Sequence, residues 1–136
     1  MLGRLLSIAT LPLPGEFIRT RDEYLSNFPD AYAREEFRKA SELLWGAITQ
    51  TIKFVGAVNG KEIRKHGEFF DFVKSLSNSY KDPDLYSDFL LLDKLHKNFY
   101  DPEIPASDMY IYVEKTFKFI EKMEKIVSGS QSTVNE

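Results

Sequence analysis

Between Pro29-Asp30 and Asn59-Gly60, apolar or small residues recur every three or four positions: Ala33, Phe37, Ala40, Leu44, Ala47, Ile48, Thr51, Val55 and Val58. That spacing traces one face of a helix and predicts a single long helix over the whole span. Asp30 suits its N-cap, and Asn59-Gly60 suits its end because both residues tolerate the left-handed conformation in which helices stop. Gly46 and Gly56 weaken the interior of this helix, or else let a neighbour pack close. Ahead of it, Arg21 to Phe28 suggests a short helix, closed by Pro29 because the residue before a proline avoids helical geometry.

After Gly60 a second main helix is predicted from Glu62 to about Ser79, with Ile63, Phe69, Phe70, Val73 and Leu76 as its apolar stripe and Ser77-Asn78-Ser79 fraying its end. Asp82-Pro83-Asp84 then reads as cap, first helical residue and a carboxylate near the positive end of the helix dipole. The third helix, Leu85 to Tyr100, is apolar around most of its circumference, which suits the middle of a bundle or a subunit interface. Pro102 and Pro105 break the chain, and Ser107 or Asp108 caps a fourth helix running to about Val127 and ended by Gly129. Its inward face is Met109, Val113, Phe117, Ile120 and Val127, while Glu121 and Lys125 pair at helical spacing outside. The expected fold class is all-α, an antiparallel bundle of four main helices plus a short N-terminal helix. Residues 1–20 form an N-terminal arm, 21–128 the bundle and 129–136 a disordered tail.

Composition adds few exclusions but useful ones. A chain of 136 residues fits one domain with one core. Its eleven Phe, seven Tyr and one Trp mean that large rings dominate the packing. A formal charge of -3 gives no global attraction for nucleic acid or an anionic membrane, which leaves local basic patches only. The lack of cysteine excludes disulfides, thiolate nucleophiles and cysteine zinc sites, and fits the cytoplasm. Arg4 precedes a short apolar run interrupted by Pro12 and Pro14. Far short of the roughly 20 apolar residues of a membrane span, the run reads as an extended arm rather than a signal peptide, and no membrane partner is expected.

Candidate chemistry centres on two histidines, His66 and His96. Neither lies in a His-Glu-x-x-His or Glu-x-x-His pattern and no glycine-rich loop opens a helix, so no metal and no cofactor is expected. His96 and Tyr100 share a face of the third helix, continued by Leu85, Phe89 and Leu92. There an imidazole either serves as a general acid or base or closes the core by bonding a carbonyl or carboxylate. Asn98 caps the helix end or meets a ligand, and Lys94 and Lys97 complement the helix dipole or do the same. Lys61, Arg64 and Lys65, next to His66, make the densest basic cluster, able to hold an RNA phosphate but diluted by Glu62 and Glu68. Trp45 reads as a core aromatic and Lys53 as a solvent-facing cation.

The order of features also carries a resemblance. A long helix with Lys39-Ala40-Ser41-Glu42-Leu43-Leu44-Trp45-Gly46-Ala47-Ile48, a segment bearing His66, and then Leu95-His96-Lys97-Asn98-Phe99-Tyr100 resembles the archaeal PaREP families within the HEPN (higher eukaryotes and prokaryotes nucleotide-binding) superfamily. The resemblance covers Asp30 to Val127. It implies a helical bundle, often dimeric, from a superfamily rich in ribonucleases and in partners of nucleotidyltransferases from toxin and antitoxin systems. Its ribonucleases carry an arginine followed, after four to six residues, by a histidine that acts as acid or base. His96 matches that histidine, but Phe89, Leu90 and Leu91 occupy the arginine positions, and none can stabilise phosphate charge. The resulting expectation is a non-catalytic HEPN-like homodimer that binds a nucleotide, RNA or a partner protein such as a nucleotidyltransferase. The alternatives are a metal-independent ribonuclease using His96 and Tyr100, with Lys94, Lys97 or a second subunit supplying the cation, and a structural bundle with no ligand.

Overall fold

The computed structural model describes residues 13–135, with side chains as far as Gly129. The apolar run at residues 1–12, most of the predicted arm, lies outside the described residues. Among the described residues there are five α-helices and no strand: α1 (Pro14–Ala33), α2 (Phe37–Val58), α3 (His66–Ser79), α4 (Pro83–Tyr100) and α5 (Met109–Asn135), with a 3-10 turn at Ala106–Asp108 before α5.

Besides the start of α1 at Pro14, inside the expected arm, rather than at Arg21, three boundaries differ from the sequence reading. The helix predicted as one piece from Pro29 to Gly60 divides, because Arg34-Glu35-Glu36 forms a turn in which Glu35 is left-handed (φ 58°). The Glu36 N–H reaches back to Ala31 O at 2.9 Å, a standard way of closing a helix end. Pro29 therefore lies inside α1, where its missing N–H costs a hydrogen bond but Phe28 and Ala31 on either side of it are buried in the core. The same closure recurs at Gly60, with Lys61 N bonding Gly56 O at 2.8 Å, and at Lys81 (φ 53°), with Asp82 N bonding Ser77 O at 3.0 Å. Glycine alone announces such an end in a sequence.

Second, α3 starts at His66 rather than Glu62, and the Glu68 carboxylate accepts the Lys65 N–H at 3.2 Å at its first turn. Third, α5 passes through Gly129 to Asn135, so the backbone at the expected disordered tail is helical. Its buried face is also turned from the predicted one. Met109, Ile120 and Val127 are buried as expected, but Tyr112, Thr116, Phe119 and Met123 join them, while Phe117 is exposed beside the ring of Phe28.

The central element is α2, which packs against α1, α4 and α5 and touches α3. Ala40, Leu44, Ala47, Ile48, Ile52 and Val55 are fully covered, and α4 answers with Leu85, Phe89, Leu92 and Leu95. Both interior glycines of α2 are sites of close approach. A methyl group on Gly46 would stand 2.8 Å from the Tyr24 ring, and one on Gly56 would stand 2.7 Å from Ile63 Cδ1. Across α2 and α4, Arg38 meets Phe99, Ser41 meets Asn98 and Trp45 meets Phe89. Across α4 and α5, Lys122 pairs with Asp82 at 2.9 Å and Lys115 with Asp88 at 3.1 Å. Arg21, buried on α1, pairs with Glu124 of α5. Among the described residues no helix is long and apolar enough to cross a membrane.

Candidate functional site

Three helices converge at one end of the molecule to build a cluster around Trp45. On α2, Arg38, Glu42 and Trp45 follow helical spacing and so face the same way. On α4, Phe89, Asp93, His96 and Tyr100 do likewise, and the first turn of α3 adds His66 and Phe70. Trp45, only 5% exposed, is stacked between Phe89 at 5.7 Å and His96 at 5.6 Å, measured between ring centroids. It is the floor of the cluster. Above it the His66 and His96 rings lie 5.7 Å apart, Phe70 meets His66 edge-on at 5.1 Å, and Tyr100 meets His96 edge-on at 5.3 Å.

Each histidine has a carboxylate beside it. His66 Nε2 stands 3.3 Å from Asp93 Oδ1, and His96 Nδ1 stands 3.8 Å from Glu42 Oε2. Neither approach is a hydrogen bond, the first for its direction and the second for its length. As a result Glu42 Oε2, Asp93 Oδ1 and His96 Nδ1 are buried atoms without a hydrogen-bond partner among the described residues. Lys97 approaches the other Asp93 oxygen at 3.6 Å. Buried polar atoms are nearly always paired, so three orphans in one cluster mark a place where water or a ligand completes the bonding. The imidazole of His66 and the ring of Tyr100 remain open to solvent. The site thus presents exposed rings for stacking, two carboxylate acceptors and two imidazoles able to carry protons.

The sequence-derived residues separate into three groups here. His96, Tyr100, His66 and Lys97 come together in the cluster. Asn98 lies beneath it, 1% exposed, where its amide donates to Ser41 Oγ at 3.0 Å and its carbonyl oxygen accepts from Glu103 N at 2.7 Å and Ile104 N at 2.8 Å. The carbonyl bonds hold the loop after α4, which is the capping role, and the amide bond ties that end of α4 to α2. Lys94 is exposed on α4 with no ion pair among the described residues. Lys61 and Arg64 sit elsewhere, Lys61 over the Phe72 ring at 5.7 Å and Arg64 against Glu62 at 2.7 Å. The basic cluster and His66, neighbours in sequence, therefore serve different parts of the surface.

Glu42, Asp93 and Arg38 were not legible as site residues. Arg38 caps the C-terminal end of α4, its Nε and Nη2 donating to Phe99 O at 2.8 and 2.6 Å. One signal was present: Arg38, Glu42 and Trp45 put charge on the line of α2 that also carries its only tryptophan. Among the described residues, no three His, Asp or Glu side chains stand close enough together to hold a metal ion.

No curated protein and no solved structure matches this chain. Residues 18–120 match the family model of the archaeal PaREP1/PaREP8 family, a stretch that includes every residue of the cluster. The chain belongs to the archaeal PaREP1/PaREP8 family.

Proposed function

We propose that this protein is a HEPN-like binding protein that takes a nucleobase, as a nucleotide or in single-stranded RNA, at the Trp45 cluster without cleaving it. The observation that carries the reading is the trio of orphaned atoms Glu42 Oε2, Asp93 Oδ1 and His96 Nδ1 beside the open rings of His66 and Tyr100. Carboxylate oxygens accept the amino and imino N–H groups of a base edge, and exposed rings stack on its face. Phe89, Leu90 and Leu91, where HEPN ribonucleases carry arginine, argue for binding over turnover. The same reading makes the bundle antiparallel, as the partners Arg38–Phe99, Ser41–Asn98 and Trp45–Phe89 ascend along α2 while descending along α4. It also pairs two copies through the outer face of α4, where Leu90 is uncovered, and places the protein in the cytoplasm, with a nucleotidyltransferase as a further partner.

Trp45 is the only tryptophan, so its emission reports on the site directly. Titration with each of the four ribonucleoside monophosphates and with a short oligoribonucleotide is expected to change that emission saturably for at least one of them. Asp93→Asn and His96→Ala are each expected to weaken the response tenfold or more. No response to any of these ligands, or one that both variants leave intact, defeats the reading. Sedimentation of the purified chain tests the dimer, which a monomeric mass at micromolar concentration rules out.

A second reading has a specific observation behind it. Two imidazoles 5.7 Å apart, each beside a carboxylate, can act as base and acid across a phosphodiester. One would remove the proton of the attacking 2′-hydroxyl while the other protonates the departing 5′-oxygen, leaving a 2′,3′-cyclic phosphate, with Lys97 or Arg38 facing the phosphate charge. Labelled RNA incubated with wild-type protein and with His96→Ala decides it: cleavage by wild type alone supports this route, and cleavage that survives the substitution excludes it.

A further inference from the structure

Away from the Trp45 cluster, the start of α1 and the connection between α2 and α3 enclose a cleft of about 280 Å³. Its walls are mainly apolar, with Phe17, Ala57 and Ile63 contributing side chains, and its charged lining is Lys53, Lys61, Arg64 and Glu62. Arg64 and Glu62 neutralise one another at 2.7 Å. Lys53 and Lys61 have no ion pair among the described residues, and Lys53 is half-buried as a residue. Lys53, its stem partly covered, has no counter-charge beside these apolar walls, so the cleft favours an anion that also fills it. In a chain of net charge -3 this local surplus of cations is against the trend.

We propose that this cleft is a second binding site, specific for a carboxylate carried on a compact apolar body, with Lys53 as the counter-ion and Lys61 beside it. An inorganic anion would meet the lysines but leave the walls wet. An uncharged apolar molecule would fill the walls but leave Lys53 unpaired. Only a molecule with both parts satisfies the lining, and the volume, at the small end of ligand pockets, suits a medium-chain or aromatic acid. Gly56 helps to shape the wall, since it lets Ile63 lie directly against α2.

The test compares sodium octanoate with octan-1-ol, two ligands of the same chain length that differ in charge, by following backbone amide shifts in nitrogen-15-labelled protein. Octanoate is expected to move the amides of Gly60, Lys61 and Ile63 saturably and to bind at least tenfold more tightly than octan-1-ol. Lys53→Met, which keeps the aliphatic stem, is expected to remove that preference while His96→Ala leaves it intact. Equal binding of the acid and the alcohol, shifts confined to other residues, or no binding of either overturns the proposal without reference to any variant. An RNA strand that displaces octanoate from these amides also overturns it, by reassigning the lysines to phosphate.

Discussion

Asp88 and Asp93 lie on the same helix and are about equally covered, their side chains 16% and 12% exposed. Asp88, toward the N-terminal end of α4, receives Lys115 Nζ at 3.1 Å from α5, and a little earlier Asp82 receives Lys122 at 2.9 Å. Asp93, toward the C-terminal end, has His66 and Lys97 nearby and yet keeps one oxygen without a hydrogen bond. A satisfied carboxylate supports the fold, whereas a buried one left unsatisfied costs stability and is retained where something else needs it. On the proposed reading one end of α4 serves the fold and the other a ligand, so the two are expected to behave differently when altered.

The largest expected effect lies under the ligand end. Asn98→Ala removes the bonds to Ser41, Glu103 and Ile104 and strands buried partners, at a cost of about 2–4 kcal/mol in urea denaturation. A loss below about 1 kcal/mol would show that the cluster does not rest on this loop. Next comes the direct contrast between the two aspartates. Asp88→Ala is expected to lower stability by about 1–2 kcal/mol, while Asp93→Asn leaves it unchanged or raises it by up to about 1 kcal/mol as it abolishes ligand binding. Equal losses in the same denaturation series would erase the distinction between the ends.

A smaller effect sharpens the structural end. Lys81 holds a left-handed conformation just before α4, which costs a side chain about 1 kcal/mol and costs glycine little. Lys81→Gly should raise the thermal midpoint by an amount equivalent to about 0.5–1 kcal/mol, and Gly60→Ala should lower it by a similar amount. A fall for Lys81→Gly would mean that the lysine side chain supports the turn in its own right.

The smallest effect is set by pH. The hydrogen bond from Lys122 holds the Asp82 carboxyl below its usual value of 3.8 against the opposing effect of burial, with further help from the Lys122 charge and from backbone N–H groups. A lowered folded-state value means that the pair stabilises fully above the unfolded-state value and loses its contribution as pH falls through the folded one. The pair is a third exposed on the Asp82 side, so solvent screening keeps it to about 0.5 kcal/mol. Asp82→Asn should therefore lower stability slightly at pH 7 and not at all near pH 2, measured by denaturant midpoints. An equal difference at both pH values would break the assignment.

Helical class, the buried face of α2 through Leu44, Ile48 and Val55, the stop at Gly60, the start at Asp82-Pro83 and the shared face of His96 and Tyr100 were all legible along the chain. Each depends on a turn of 3.6 residues or on the backbone preference of one residue type, and both are local properties. The left-handed ends at Glu35 and Lys81 were not legible, because those residue types have no such preference and are held there by what the neighbouring helices pack against. Nor was the place of Phe119 inside and Phe117 outside, since α5 is apolar on more than one face and its rotation is chosen by its neighbours. The meeting of His66 with His96 over Trp45, and of both with Asp93 and Glu42, belongs wholly to the tertiary structure. Periodicity says which residues share a helix face, but which faces meet is decided by burying aromatic surface across three helices at once. That same packing is what leaves three polar atoms without partners.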